Sequence, residues 1–349
     1  MNFLLILLLF GFFTAHQAAR LRSLNGIRVN ETTEFPYQAS FQLNRTHFCG
    51  AVLITDQHAL TAAHCVQPIV DEGKSDFALS IEVGEKILGS GQSYAVERIS
   101  YHKDFVRNSH PLFMPNDIAV IRLAKRVELS EKVLPIDLPG PNDETPENAT
   151  IITSGYGSAK RIQGFLSPML RKTKSFALDS EECCKSRLHQ VCDLTINHIC
   201  GRVNRTRGTC VGDSGGPAAK GDRSVLIGII SGSGTWCGNG LPDIYTKVSH
   251  YIPYIRGELY REDKSVHPHV IIAPEKIELL EKVPRWYTRE RILRYFALNL
   301  IQESIETEII NAPNSPINHD RMKKMFELGL KVQSFFDWMD KVIANKHKA

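Results

Sequence analysis

Short apolar runs separated by glycine and proline dominate the middle of this 349-residue chain. In most of them apolar and polar residues alternate, with the period of a half-buried β-strand. A first group comprises Gln38–Leu43, Gly50–Ile54, Phe77–Val83, Ala95–Ile99 and Ile118–Leu123. A second group comprises Thr150–Gly155, Leu170–Ala177, Ser224–Ile230 and Ile244–Val248. The pattern predicts an all-β fold built from two sets of strands.

The segment from Gly208 to Pro217 reads Gly-Thr-Cys-Val-Gly-Asp-Ser-Gly-Gly-Pro. Glycines on both sides of Ser214 permit a tight turn that points backbone N–H groups at one spot. Such a turn suits a nucleophilic serine, which also needs a base beside it and donors for the oxyanion that forms. A glycine–serine run is more often a plain turn, so Ser214 alone indicates no activity.

Two distant segments supply the groups that Ser214 would need. His64 stands in the segment Thr61–Cys65, and Asp117 directly precedes the apolar run Ile118–Ile121. A histidine accepts and returns a proton near neutral pH, and a buried carboxylate can orient it. Taken singly, His64 is also compatible with a packed core position and Asp117 with a strand-entry cap. Their neighbours and the order His, Asp, Ser favour a catalytic set.

With these motifs the chain resembles the chymotrypsin-like serine proteases of the trypsin family over about residues 24–258. The resemblance implies two perpendicular six-stranded β-barrels, an active site in the cleft between them and a closing helix at Val248–Arg256. It implies that Ser214 attacks the scissile carbonyl of a protein or peptide substrate, that His64 transfers the proton and that Asp117 orients His64. The backbone N–H groups of Gly212 and Ser214 are expected to form the oxyanion hole. No cofactor is implied, and the usual acidic calcium loop is not evident near residues 84–86.

The N-terminal region predicts secretion and activation by cleavage. Residues 1–18 contain an apolar run that is typical of a signal peptide and too short to span a membrane, and residues 19–23 form a short propeptide. In the family, cleavage frees an apolar N-terminus whose ammonium pairs with the carboxylate beside the nucleophile, here Asp213. The corresponding new terminus is Leu24. Arg22 stands one residue too early for an activating protease to leave Leu24 in front, since a cut after Arg22 leaves Ser23 first.

The predicted specificity pocket departs from trypsin on two walls. Trypsin-like enzymes place an aspartate six residues before the nucleophile, where this chain has Gly208, and the opposite wall carries Asp243 where glycine is usual. One hypothesis is that Asp243 supplies the negative charge for a basic substrate side chain, because an unpaired buried charge is costly. The alternative is that Asp243 turns away and leaves a neutral slot.

The segment Ser231-Gly232-Ser233 is expected to pair with the substrate backbone as an added strand. Gly232 stands where the family generally has tryptophan, so the chain lacks an aromatic wall of the cleft. We therefore expect weak, broad subsite preferences. Met114, shortly before Asp117, is a candidate to cover part of this gap.

Eight cysteines behind a signal peptide predict disulfide bonds. The family resemblance implies Cys49–Cys65, Cys210–Cys237 and a partner for Cys200. We expect Cys184–Cys200 and Cys183–Cys192, with exchange of partners between these two bonds left open. A metal site in this cysteine cluster is the alternative, but its spacing fits no zinc pattern well.

Four Asn-x-Thr triplets are candidate glycosylation sites, at Asn30, Asn44, Asn148 and Asn204. Such triplets also arise by chance. Behind a signal peptide, four of them predict at least one glycan.

Residues 259–349 have no counterpart in the basic protease fold. Apolar residues recur at helical spacing over residues 286–310 and 322–343, which predicts an α-helical extension. We favour packing of its apolar stripe on itself or on the barrels, and docking of a protein partner is the alternative. The chain carries a formal net charge of only +4 without a long block of like charge, so neither nucleic acid nor an anionic membrane is implied as a partner.

Two functions remain in competition at this point. The leading interpretation is a secreted serine endopeptidase made as a zymogen. The alternative is a catalytically silent homologue that binds or regulates on the same scaffold. The intact set of His64, Asp117 and Ser214 favours the enzyme, whereas Gly232 and the unusual cleavage site leave room for the alternative.

Overall fold

A computed structural model describes residues 26–71, 78–107, 114–158, 166–186, 196–203, 208–232, 240–261 and 270–272. The predicted signal peptide (1–18), propeptide (19–23) and extension helices (286–310 and 322–343) lie outside these residues. Among the helices that the model describes, none is both long and apolar enough to cross a membrane.

The first barrel lies in the N-terminal half of the described chain. Its strands are β2 (Gln38–Leu43), β3 (Thr46–Leu53), β4 (His58–Thr61), β5 (Leu79–Val83), β6 (Gln92–Tyr101) and β7 (Ala119–Leu123). They follow the antiparallel order β6-β5-β2-β3-β4-β7, and pairing of β6 with β7 closes the barrel. Large side chains fill its interior, including the fully buried Phe41, Leu60 and Ile121.

The second barrel repeats this architecture. Its strands are β8 (Thr150–Gly155), β9 (Arg171–Leu178), β10 (His198–Arg202), β11 (Pro217–Lys220), β12 (Leu226–Gly232) and β13 (Asp243–Lys247). They follow the order β9-β10-β13-β12-β11-β8, closed by antiparallel pairing of β8 with β9. The short strand β1 (Ile27–Arg28) adds to β9 from outside. The prediction of two six-stranded antiparallel barrels is confirmed.

Three α-helices lie outside the barrels: α1 (Ala63–Asp71), α2 (Ser180–Ser186) and α3 (Ile252–Leu259). A 3-10 turn at Val248–Tyr251 leads directly into α3, so the predicted closing helix is present. A second 3-10 turn spans Thr32–Glu34. Helix α1 begins within two residues of strand β4 and places His64 in its first turn.

Several strands differ from the sequence-based prediction. Strand β3 begins at Thr46 rather than Gly50, because Asn44 and Arg45 adopt left-handed φ values of 48° and 63° and make a tight hairpin turn. Strands β4, β10 and β11 were not predicted. They are only four or five residues long, which leaves little alternation to detect.

A further strand, β14 (Val270–Ile272), joins the first barrel from the C-terminal side of the chain. It pairs antiparallel with β6, with Ile271 opposite Ile99, on the edge that β7 does not occupy. The end of α3 is held by the same part of β6, since the Arg98 guanidinium donates to the carbonyls of Glu258 and Arg261, both at 3.1 Å. The chain beyond the second barrel is therefore attached to the first.

Two disulfide bonds lie fully within the described residues. Cys49 is bonded to Cys65, as expected. Of the two arrangements left open for the cysteine pair in α2, the first-named, Cys184–Cys200 with Cys183–Cys192, is wrong, and the structure has the exchanged one, with Cys183 bonded to Cys200. Cys183 is fully buried against Cys200 on the inner face of α2, whereas the next residue is turned about 100° around the helix. Cys184 and Cys210 are also disulfide-bonded. Cys192, the partner left for Cys184 by the exchange, and Cys237, the expected partner of Cys210, lie outside the described residues.

Candidate active site

The Asp117 carboxylate lies at the centre of a corner where the two barrels meet. It is fully buried and accepts three hydrogen bonds. The His64 backbone N–H donates to Oδ1 at 2.8 Å, His64 Nδ1 lies 2.8 Å from Oδ2, and the Ser231 hydroxyl donates to Oδ2 at 2.6 Å. His64 follows strand β4 of the first barrel, and Ser231 belongs to strand β12 of the second barrel. We call these three residues the Asp117 corner.

Local backbone geometry brings Asp117 into this corner. Asn116 just before it adopts a left-handed φ of 61°, and the Tyr251 hydroxyl donates to the Asn116 side-chain oxygen at 3.0 Å. The Thr246 hydroxyl of β13 donates to the Asp117 carbonyl at 2.9 Å. Strand β13 and the 3-10 turn that follows it thus hold the backbone that carries this carboxylate.

The two ring nitrogens of His64 have different hydrogen-bonding roles. A carboxylate only accepts hydrogen bonds, so Nδ1 carries the proton that is donated to Asp117 and neutral His64 keeps a lone pair at Nε2. The side chain is 16% exposed, which leaves one side of the ring accessible. The lone pair at Nε2 can therefore accept a proton.

The loop that carries Ser214 is anchored to the first barrel beside His64. The Gly50 N–H donates to the Ser214 carbonyl at 2.7 Å, and the Cys65 sulfur lies 3.8 Å from the same oxygen. Gly212 adopts a φ of +96°, and a Cβ there would lie only 2.5 Å from a Leu166 methyl carbon. The turn before Ser214 consequently requires glycine.

His47 fixes the other side of this turn and was missed in the sequence analysis. Its Nε2 lies 2.8 Å from the Gly212 carbonyl oxygen, and its Nδ1 lies 2.9 Å from the Ser40 hydroxyl. Burial lowers the pKa of His47 to about 4, against the opposing effect of the hydrogen bond with Gly212, so the ring is neutral at pH 7. Nε2–H then donates to Gly212 and Nδ1 accepts from Ser40. The sequence feature that could have identified His47 is its position in a buried strand, two residues before Cys49.

The Asp213 side chain points away from Ser214 into the second barrel. It is 4% exposed. Its Oδ1 accepts from the Gly157 N–H at 2.7 Å and its Oδ2 from the Cys210 N–H at 2.9 Å. Leu24, its predicted partner after cleavage, lies outside the described residues.

Gly208, Thr209 and Asp243 meet in a second corner, which we call the Asp243 corner. The Asp243 carboxylate is 2% exposed and accepts from the Thr209 N–H at 2.8 Å. Its two oxygens lie 3.4 and 3.6 Å from the point that a Cβ at Gly208 would occupy. The carboxylate therefore faces Gly208 directly. The pKa of the neighbouring Tyr245 hydroxyl is raised by burial and further by the Asp243 charge.

Thr209, whose N–H donates to Asp243, also carries a buried hydroxyl. Thr209 is 3% exposed, and its Oγ1 has no hydrogen-bond partner within the part of the chain that the structure describes. Sequence analysis did not single out Thr209. A donor or acceptor that is buried without a partner costs about 1–3 kcal/mol, so this oxygen favours a polar ligand.

The other residues predicted to contact substrate are only partly described. Ser231 and Gly232 end strand β12, where the pairing with β13 shifts register between Ile230 and Gly232. Ser233 lies outside the described residues. Met114 is 5% exposed, and its carbonyl oxygen lies 3.4 Å from His198 Nε2.

Residues 24–255 match the family model described as Trypsin. The chain belongs to the trypsin family. It is 33% identical over 229 residues to a trypsin from Phaedon cochleariae, which covers 64% of this chain and 84% of the relative. It is 31% identical over 234 residues to trypsin-1 from Astacus astacus, covering 64% of this chain and 94% of the relative. Trypsin homologues indicate a hydrolase of the serine protease class.

Solved structures show the same fold. Neuropsin, a serine protease expressed in the limbic system of mouse brain, superposes with a TM-score of 0.57 at 28% identity, covering 66% of this chain and 98% of neuropsin. HL collagenase superposes with a TM-score of 0.58 at 28% identity, covering 68% of this chain and 99% of the collagenase. The resemblance inferred from the motifs around His64, Asp117 and Ser214 is thus confirmed at the level of family and fold.

Two groups of metal-ligand side chains occur among the described residues of this trypsin-family chain. One consists of Cys49, Cys65 and His64, but both cysteines are consumed by their disulfide bond. The other is an acidic group on the surface, formed by Glu147, Asp179 and Glu182. Arg202 donates to the Glu182 carboxylate at 3.1 Å and so supplies a counter-charge.

The candidate glycosylation sites differ in accessibility. Asn30 and Asn148 are exposed. Asn44 is half-buried, and its side-chain oxygen accepts from the Ala78 N–H at 2.9 Å. Asn204 lies outside the described residues.

Proposed function

We propose that this trypsin-family chain is a secreted serine endopeptidase, made as a zymogen, in which Ser214, His64 and Asp117 carry out peptide-bond hydrolysis. The observation that carries this proposal is the hydrogen bonding of the buried Asp117 carboxylate to both N–H groups of His64 and to Ser231. That arrangement selects the tautomer in which His64 Nε2 is a base. A scaffold reused only for binding has no need of it.

The reaction proceeds through an acyl-enzyme. Ser214 Oγ attacks the scissile carbonyl carbon, and its proton passes to His64 Nε2. The C–N bond then breaks, and the same proton passes to the leaving amine. Water attacks the Ser214 ester next, with His64 again taking the proton, and the acid product leaves with Ser214 restored. Asp117 stays ionised throughout and stabilises the imidazolium form of His64.

The oxyanion of each tetrahedral intermediate is stabilised by the backbone N–H groups of Gly212 and Ser214. Such donors contribute most when their positions are fixed before the reaction. The left-handed φ of Gly212 and the hydrogen bond between His47 and the Gly212 carbonyl provide that support.

The Asp243 corner supplies a preference for arginine or lysine at the position before the scissile bond. A buried carboxylate that faces Gly208 is complementary to a guanidinium or ammonium group, and the neighbouring Thr209 has a buried hydroxyl without a partner among the described residues. The charge of the pocket thus comes from the wall opposite to the one used in trypsin. With Gly232 in place of an aromatic wall, the more distant subsites bind with weak preference.

Labelling with a fluorophosphonate probe tests the enzymatic function. The secreted full-length protein is labelled before and after mild trypsin treatment, with Ser214→Ala as the control. We expect labelling of the wild type after cleavage and none of the variant. N-terminal sequencing of the labelled form then distinguishes Ser23 from Leu24 as the first residue.

A clean cleavage without labelling would contradict the enzymatic function. It would mean that the Gly212–Ser214 turn does not assemble a working site, and the silent binding homologue would take its place. Circular dichroism of the cleaved protein separates this outcome from simple unfolding.

A further inference from the structure

A small, partly open cavity of about 10 Å³ lies behind the Ser214 turn, against the second barrel. Asp213 and Thr209 line it from the loop before Ser214, and Gly155, Thr173 and Arg171 line it from strands β8 and β9. An acidic and a basic side chain thus share one small enclosure. We call it the Asp213 cavity.

Arg171 is held at the mouth of this cavity by hydrogen bonds on two sides. Its Nε donates to the Ser167 hydroxyl at 3.2 Å, and its Nη1 donates to the Gly26 carbonyl at 3.0 Å. Gly26 lies two residues after the expected new terminus, Leu24. A Cβ at Gly26 would lie 2.2 Å from the Lys172 carbonyl oxygen, so the N-terminal segment packs directly onto β9 at this point.

Asp213 and Arg171 are the charged side chains among those that line the cavity. The Asp213 carboxylate is buried and accepts hydrogen bonds from the backbone N–H groups of Gly157 and Cys210. The pKa of Arg171 is lowered by burial and by the facing Arg28 on β1, and the Asp213 carboxylate opposes both. The guanidinium remains charged in either case. His47 contacts Gly212, the residue before Asp213, and it adds no charge because its ring is neutral.

We propose that Arg171 is a positioning residue that supplies a permanent positive charge to the Asp213 cavity, in addition to the ammonium of the cleaved N-terminus. This proposal rests on the proposed function, because Asp213 acts on the reaction through the adjacent Gly212–Ser214 turn. The guanidinium holds the carboxylate turned into the cavity before cleavage, and it continues to do so at pH values where the ammonium loses its proton.

A chemical difference between the two cations makes the proposal testable. An α-amino group ordinarily has a pKa of about 7.7–8.0, whereas a guanidinium is never deprotonated in this range. If the ammonium alone held Asp213, activity would fall as this group deprotonates. With Arg171 as a second cation, the loss of activity occurs at a higher pH.

The first experiment compares alkaline pH profiles of kcat/KM for the cleaved wild type, Arg171→Gln and Arg171→Lys. We expect the alkaline midpoint of Arg171→Gln to lie at least about one pH unit below that of the wild type, and Arg171→Lys to restore most of the difference. Arg28→Gln removes a neighbouring positive charge outside the cavity and should keep the wild-type midpoint. Coincident profiles of wild type and Arg171→Gln would overturn the proposal.

The second experiment does not depend on activity. Thermal unfolding of the full-length, uncleaved chain is measured for Arg171→Gln, Asp213→Asn and the double variant. If the two charges interact, the loss of Tm in the double variant is clearly smaller than the sum of the single losses, whereas Arg28→Gln with Asp213→Asn is additive. Additive losses for Arg171 and Asp213 would overturn the proposal, even if fluorophosphonate labelling succeeds. An interacting pair in a protein that is never labelled would support the charge pairing and refute only the enzymatic function.

Discussion

The two corners of the cleft both hold a buried carboxylate, but they differ in what surrounds it. At the Asp117 corner, two N–H groups of His64 and the Ser231 hydroxyl donate to the carboxylate without any ligand. At the Asp243 corner, a Thr209 N–H donates to the carboxylate while the Thr209 hydroxyl beside it has no partner among the described residues. At the first corner the donors are in place without a ligand, as the proposed orientation of His64 as a base requires. At the second, under the proposed substrate preference, a basic substrate side chain would give the Thr209 hydroxyl a partner.

Removing the Asp117 charge tests the first corner most severely. In Asp117→Asn, the side-chain amide favours the wrong His64 tautomer, so we expect kcat to fall about 10⁴-fold with a small change in KM. The measurement is steady-state hydrolysis of arginyl and phenylalanyl ester substrates. Asp104→Asn, which changes an exposed aspartate, is the matched control. A fall of less than about tenfold would show that orientation does not depend on this carboxylate.

Removing the Asp243 charge should act on substrate choice rather than on the chemical step. Loss of a buried charge partner costs about 2–5 kcal/mol, so we expect Asp243→Gly to lower kcat/KM for arginine and lysine substrates by about 10²- to 10³-fold. The kcat/KM of the variant for phenylalanine or leucine substrates should remain similar to that of the wild type. The comparison uses matched peptide substrates that differ in one side chain. A variant that keeps the full preference for arginine would refute the role of Asp243.

Ser231→Ala separates the two corners further. The variant removes one of three donors to Asp117, and a hydrogen bond to a charged group contributes about 1.5–3 kcal/mol. We expect kcat to fall about 10- to 100-fold by the same factor for basic and apolar substrates. Ser186→Ala, on the exposed face of α2, should have no effect. A loss confined to one substrate class would assign Ser231 to the pocket instead.

The smallest effect is expected at Thr209. Thr209→Val keeps the shape but removes a hydroxyl that lacks a partner in the free protein, so Tm should stay the same or rise. With a basic substrate, the missing hydrogen bond should lower kcat/KM by about 2- to 10-fold. Thr209→Ser keeps the hydroxyl and serves as the control. A large drop in Tm would mean that the hydroxyl is already used within the protein.

The fold and the Asp117 corner were predictable because their signals are local. Most strands predicted in the two barrels carried their own alternation, and His64, Asp117 and Ser214 each stood among characteristic neighbours. The Asp243 corner was predictable only as a choice between two orientations of one side chain. Sequence order does not determine which way a carboxylate turns, and the structure turns it toward Gly208.

The structural features that the sequence did not predict depend on contacts between segments that lie far apart in the chain. His47 and Gly212 are 165 residues apart, and the Arg171 guanidinium reaches Gly26 across 145 residues. Strand β14 is three residues long and pairs with a strand near residue 99. No local pattern encodes such pairings, and the choice of Cys183 over Cys184 likewise depends on which face of α2 meets β10.

The attachment of β14 affects how the catalytic part of the chain can be produced in isolation. A shortened protein that stops at Glu258, where the resemblance to the basic protease fold ends, loses both β14 and the Arg261 carbonyl that Arg98 binds. The N–H and C=O groups of Arg98–Ser100 would then lie on an open sheet edge, which readily accepts a strand from another molecule. Shortened versions should therefore keep the chain through Ile272 to remain monodisperse during purification.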